Sequence, residues 1–258
     1  MSEIDEIEVN EQESQAGEDP TQTQEMLLLE HIGELRMRLI RSVVALVIGT
    51  LIGLLFSNRV IEVLVWPLRE SQLIVLSPTE ASVIYFKVAL FLGFLVALPY
   101  ILHQIYGFLA PGLLHNERRL LLLGIPAAIV LFALGALFTM TVLVPFSMPV
   151  LMGFLQDVVQ PTYSLDLYLS FVTTVLFWMG LLFQTPLVVY GLARAGIVTP
   201  EKLGKARRLI IFAAALLAAV ITPTTDPVTM LLVTGPFLVL YEVGIVLSRL
   251  AVRQRGES

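Results

Sequence analysis

Cysteine is absent from this 258-residue chain, which excludes disulfides, thiolate metal sites and thiol redox switches. Charge is scarce too, with Asp, Glu, Lys and Arg together at 14% of residues, against about 25% in soluble domains. The three histidines, His31, His103 and His115, lack the paired spacing of metal ligands and read as loop or interfacial residues. No glycine-rich nucleotide loop and no hydrolytic motif can be found. The chain is therefore expected to need no cofactor, to catalyse no reaction and to have no nucleic-acid partner.

What the chain has in quantity is apolar surface: 57% of its residues are hydrophobic and its mean hydropathy is +0.84. Its apolar residues come in blocks long enough to cross a hydrocarbon layer of about 30 Å, which takes about 20 helical residues. Barrel strands would alternate apolar with polar residues, and these blocks do not. The expected class is an all-α, multi-pass membrane protein embedded in a lipid bilayer.

The first segment, Met1–Glu25, is different. It is dense in Glu and Asp and nearly free of apolar residues, so it cannot bury enough surface to order itself. It has no basic n-region or apolar h-region, and its acidity is the opposite of an Arg-rich transit peptide. The expected division is a disordered acidic cytoplasmic tail at 1–25, a transmembrane domain at 26–250 and a short cytoplasmic tail at 251–258.

Hydropathy places six spans near Leu39–Ser57, Ser82–Tyr106, Leu120–Pro145, Leu167–Leu192, Leu209–Ile221 and Val228–Leu247. An even number of passes puts both termini on one side. Arg36, Arg38 and Arg41 flank the first span, Arg118 and Arg119 follow the second, and Arg194, Lys202, Lys205, Arg207 and Arg208 follow the fourth. Arg249, Arg253 and Arg255 follow the last. The opposite loops carry only Arg59 and Arg69, so the positive-inside rule assigns both termini to the cytoplasm.

Several local features shape the expected bundle. Val60–Pro67, with its interfacial Trp66, reads as a short surface helix capping the bundle. The loop of about Phe146 to Asp166, with Pro149, Pro161 and Tyr163, reads as a partly ordered surface segment. Pro186 should bend the fourth span in its middle. The fifth span, about 13 residues or about 20 Å, is shorter than the hydrocarbon layer, so the turn at Thr222–Pro227 should sit near the outer leaflet. Lys87 is expected to snorkel or to pair with Glu80, two turns earlier, and Glu242 to lie at the interface.

The chemistry centres on Glu34 and Glu117, each beside an apolar block and each on the predicted cytoplasmic side. A carboxylate there accepts paired hydrogen bonds from a guanidinium, more directional than any from an ammonium, so two of them suit a ligand with paired arginines. The same residues also fit ordinary surface ion pairs, Glu34 with Arg38 at i,i+4 spacing and Glu117 with a local arginine. A solute transporter would need polar groups deep in several spans, whereas the interior holds little beyond Gln184, Thr173 and Thr174. An intramembrane hydrolase would need a nucleophile and its partners at depth, and none is evident.

Three stretches carry a resemblance. His31-Ile32-Gly33-Glu34-Leu35-Arg36-Met37-Arg38-Leu39, Gln104-Ile105-Tyr106-Gly107-Phe108-Leu109-Ala110-Pro111-Gly112-Leu113 with Asn116-Glu117-Arg118-Arg119, and Phe183-Gln184-Thr185-Pro186 are similar to the TatC family, the multispanning subunit of the twin-arginine protein translocase. The similarity runs from about Leu29 to Arg249. It implies a glove-shaped bundle of six transmembrane helices that receives the twin-arginine signal peptides of folded cargo. It also implies TatA-like and TatB-like single-span partners, a homo-oligomeric complex, the proton-motive force as energy source and a bacterial cytoplasmic (inner) membrane. Under this resemblance Glu34 and Glu117 are signal-recognition carboxylates, and Arg36, Phe108, Pro111 and Arg118 share their surface. Pro67, Pro99 and Asp226 also stand at family-typical positions. Gln184 departs from the pattern: some members have glutamate there, and an amide carries no proton. It remains suited to an intramembrane pocket or a partner contact, or to a plain interhelical hydrogen bond.

Overall fold

The structure, a computed structural model, describes residues 20–68, 73–109, 118–153, 162–194, 196–222 and 226–256. Among them run eight α-helices: α1 (Pro20–Val65), α2 (Pro78–Leu109), α3 (Arg118–Phe138), α4 (Val144–Gly153), α5 (Leu165–Leu182), α6 (Thr185–Arg194), α7 (Pro200–Ile221) and α8 (Pro227–Gly256). A π-helical turn at Thr139–Leu143 joins α3 to α4, and a two-residue turn at Phe183-Gln184 joins α5 to α6. Among the described residues, five rods are long and apolar enough to cross a membrane: 32–68, 78–105, 124–151, 165–194 and 227–253. The protein is an all-α, multi-span membrane protein.

α1 has 46 residues, about 69 Å at 1.5 Å per residue, more than twice a hydrocarbon layer. Most of its apolar side chains, among them Val43, Val47, Leu51 and Leu55, are exposed, as suits a helix bathed in lipid. Its main partner among the described residues is the antiparallel α2, met through small residues. A Cβ on Gly49 would strike the Gly93 carbonyl oxygen, one on Gly53 the Ala89 carbonyl oxygen, and one on Gly93 the backbone and hydroxyl of Thr50. Gly49-x-x-x-Gly53 thus meshes with Ala89-x-x-x-Gly93, the small-residue packing that membrane helices use where burial drives little. Further along the seam, the Tyr85 hydroxyl donates to the Leu54 carbonyl.

α2, α3 and α5 pack through aromatic rings. Phe94 meets Phe177 edge-on at 4.9 Å and Phe132 at 6.0 Å. Phe132 presses on Gly180, which has no room for a side chain. The core around them includes Val88, Leu143, Val144, Val172, Val175 and Met179.

Several sequence expectations change in the structure. Val60–Pro67 is no separate surface helix: α1 continues to Val65 and a 3₁₀ turn follows at Trp66–Leu68. No helix breaker stands between Asn58 and Trp66, and Leu64 and Leu68 are both 4% exposed, so one face of this stretch joins the core while Val63 and Trp66 stay exposed. The Tyr168 hydroxyl donates to the Leu64 carbonyl at 2.7 Å. Helix likewise persists to Gly153, with Pro149 inside it, where a surface loop was expected from Phe146. Tyr163-Ser164 then pairs in parallel with Leu73-Ile74.

The fourth span is broken rather than bent, and just ahead of Pro186. Proline has no N–H for the Leu182 carbonyl, and the Thr185 hydroxyl donates to it instead at 2.6 Å. The stretch expected as a short fifth span is the apolar half of a longer helix, α7, which is not among the five rods. α7 has 22 residues, starting at Pro200 after a Thr199 cap whose hydroxyl accepts from Lys202 N. Residues 1–19 of the acidic segment lie outside the described residues, and α1 begins at Pro20, inside the expected 1–25 boundary. At the other terminus α8 runs on to Gly256.

Lys87 does not pair with Glu80. Its ammonium reaches Asp166 at 2.6 Å and the Ser170 hydroxyl at 3.0 Å, tying α2 to α5. Glu80 is instead a joint for two loops, accepting from Leu76 N at 2.5 Å, Ser77 N at 3.2 Å, the Ser164 hydroxyl at 2.7 Å and Asp166 N at 3.1 Å. Sequence offered no hint of Asp166 as the partner, because that contact spans 79 positions. A double-mutant cycle of Lys87→Met and Asp166→Asn, followed by unfolding in detergent, is expected to give a coupling of about 1 kcal/mol. Strictly additive losses would make the contact incidental. Glu242 is paired as well, with Arg207 at 2.7 Å, joining α8 to α7 where both side chains are half exposed.

Candidate functional site

Glu34 and Arg38 lie one helical turn apart on α1, near the end where α2 finishes. Arg38 Nε donates to Glu34 Oε1 at 2.9 Å and Nη2 to the same oxygen at 2.5 Å. The pair is partly shielded, Glu34 being 34% and Arg38 22% exposed. Arg38 Nη1 also reaches across to the Gln104 carbonyl of α2 at 3.5 Å. The guanidinium rests on Gly107, whose missing side chain leaves it room: a Cβ there would collide with Nη1. Phe108 follows immediately and is partly buried.

The structure therefore joins Glu34 to α2 next to Phe108, through Arg38. Arg36 is exposed on α1. Glu117 and Pro111 lie outside the described residues, and Arg118 opens α3 with its side chain outside them too. The i,i+4 ion pair that sequence left open for Glu34 is present. Gln104 and Gly107 belong to a stretch that carries the resemblance, but sequence reasoning assigned neither of them a role. A glycine next to Phe108 was the available signal, since glycine in a helix often marks a close approach.

Gln184 occupies the break between α5 and α6. Its backbone N–H donates to Leu181 O rather than to Gly180 O, which leaves the Gly180 carbonyl without its usual helical donor. The side-chain Nε2 approaches that carbonyl at 3.3 Å and donates to the Ala128 carbonyl of α3 at 2.9 Å. The interhelical hydrogen bond is thus present. Oε1 is buried with no partner among the described residues, an acceptor held in a site of low polarity, where an unmade bond is costly. Gln184→Leu removes both the bond and the orphan acceptor. It is expected to shift detergent stability by less than about 1 kcal/mol, so a larger loss would give this amide a structural weight that its contacts do not account for.

At the far end of the molecule Asp226 caps α8, its carboxylate accepting from Thr229 N at 2.7 Å. That is an N-cap role, and it accounts for an acidic residue just ahead of an apolar helix.

Set beside known proteins, residues 30–236 match the family model described as Sec-independent protein translocase protein (TatC). The chain belongs to the TatC family. The TatC of Aquifex aeolicus is 40% identical over 238 residues, which cover 90% of this chain and 98% of that protein. TatCy of Bacillus subtilis is 34% identical, covering 91% and 93% respectively. A crystal structure of the twin arginine translocase receptor TatC superimposes with a TM-score of 0.78 at 39% identity, over 86% of this chain and 99% of that one. Family membership thus agrees with the motifs around Glu34, Phe108 and Gln184, and with the multi-span helical fold.

Proposed function

We propose that this TatC protein is the receptor subunit of a twin-arginine translocase, binding the paired arginines of signal peptides on folded cargo through Glu34 and Glu117. The observation that carries the reading is the placement of the Glu34 carboxylate. It is oriented by a guanidinium, partly shielded, and set beside the last turns of α2. A carboxylate that already accepts Arg38 through two N–H groups has the geometry for a guanidinium. Arg36, Phe108, Pro111 and Arg118 complete the surface.

In this reading six helices cross a bacterial inner membrane with both termini in the cytoplasm, α7 spanning with its apolar half. The basic clusters that flank the first span and follow the second, fourth and last support that orientation. The protein acts by binding rather than catalysis, and the proton-motive force supplies the energy. Single-span partners resembling TatA and TatB dock on lipid-exposed faces, with the half-buried Gln184 as one polar contact, and several copies assemble into the complex.

The test is binding of a labelled Arg-Arg signal peptide and its Lys-Lys twin to the purified protein in detergent. Preference for Arg-Arg is expected. Equal affinity for the two peptides would remove the assignment.

A further inference from the structure

The guanidinium that holds Glu34 belongs to the protein itself. We propose that Arg38 is a built-in competitor, occupying Glu34 as a signal-peptide arginine would and setting the affinity that an incoming ligand has to exceed. This inference rests on the receptor reading above and adds the residue that tunes it.

Four observations point this way. Arg38 engages Glu34 through both Nε and Nη2 on one carboxylate oxygen, so a peptide guanidinium seeking the same oxygen meets a group of its own kind. Its third contact, Nη1 to the Gln104 carbonyl, is long at 3.5 Å, so little beyond Glu34 holds the guanidinium there. Gln104 also carries a second acceptor, Oε1, buried without a partner among the described residues. Gly107 shapes the same seat, because any side chain there would push Nη1 away.

Displacement has a definite thermodynamic signature. A competitor that must leave before any ligand binds weakens every ligand by the same factor. The preference for arginine over lysine comes from Glu34 itself, since only a guanidinium offers the planar fork. Arg38 therefore sets absolute affinity and leaves the Arg-Arg to Lys-Lys ratio alone. Its practical effect is to keep lysine-bearing or single-arginine segments below the affinity at which they occupy the receptor.

The experiment measures Kd for Arg-Arg and Lys-Lys peptides with the full-length protein and with Arg38→Gln, Arg38→Lys and Gly107→Ala. Arg38→Gln is expected to tighten both peptides by about tenfold, equivalent to about 1.4 kcal/mol, with their ratio unchanged. Arg38→Lys keeps the positive charge but loses the fork, and Gly107→Ala keeps Arg38 but crowds its seat. Each is expected to tighten binding by a smaller factor in the same direction. Weaker Arg-Arg binding in Arg38→Gln would make Arg38 a positioning group and overturn the proposal. So would tightening in Arg38→Gln with none in Arg38→Lys, which would reduce its effect to charge alone. If the parent fails to prefer Arg-Arg, the receptor reading itself fails, an outcome distinct from any of these.

Discussion

Gly93→Ala is expected to destabilise the protein, while Gly235→Ala is expected to leave it unchanged or slightly more stable. Both glycines lie inside helices, where alanine is intrinsically better by about 1 kcal/mol. Propensity alone therefore predicts a gain at both positions. At Gly235 nothing lies within 4 Å of the added Cβ, so propensity is free to act. At Gly93 the Cβ meets the Thr50 nitrogen, Cα and hydroxyl together, and backbone atoms have no rotamer to retreat into. The α1–α2 seam must open, at a cost of about 1–3 kcal/mol or more, which outweighs the propensity gain. The opposed signs can be read from thermal or denaturant unfolding in detergent, and a gain at Gly93 would show that the seam is looser than the structure describes. Because α1 touches the rest of the molecule mainly through this seam, an opened seam also unseats Arg38 from Gln104 and Gly107.

Glu34→Gln and Glu117→Gln are each expected to weaken Arg-Arg peptide binding by about 10- to 100-fold, the equivalent of losing one charge-assisted hydrogen-bonded contact worth about 1.5–3 kcal/mol. The amide preserves shape, so the protein should still insert and fold. Part of the loss at Glu34 has a subtler origin: in Glu34→Gln, Arg38 also loses its anion and remains as an uncompensated cation beside the incoming arginines. Glu34→Gln combined with Arg38→Gln should therefore recover some affinity relative to Glu34→Gln alone. Unchanged affinity in both single variants would dismiss the two carboxylates as the recognition pair.

The changes between expectation and structure have physical causes that can be traced residue by residue. A hydropathy window finds apolar stretches, not helices. It missed that α7 begins nine residues before Leu209, where Thr199 caps a charged first half, and that α1 runs on through Asn58 and Arg59 to Val65. Pro186 was legible as a disturbance because a missing N–H acts locally. Where the chain breaks was not, because the break depends on Thr185 and Gln184 taking over the freed carbonyls. For Lys87 the sequence offers snorkelling or the nearest carboxylate in the chain, Glu80, whereas its partner comes from a different helix.

Taken alone, the sequence determined the class of molecule, the approximate number and position of its spans, the identity of its candidate carboxylates and the motifs it shares with a translocase family. These follow from composition and short-range pattern, because the cost of placing polar groups in hydrocarbon is charged residue by residue. Only the tertiary structure decided which small residues of α1 and α2 mesh, that Lys87 meets Asp166, and that Gln184 bonds the Ala128 carbonyl. It likewise decided that Arg38, clasping Glu34, reaches a second helix over a glycine. Those pairings join positions that are distant in the chain, and their energies depend on how closely two backbones approach, a quantity that no local pattern encodes.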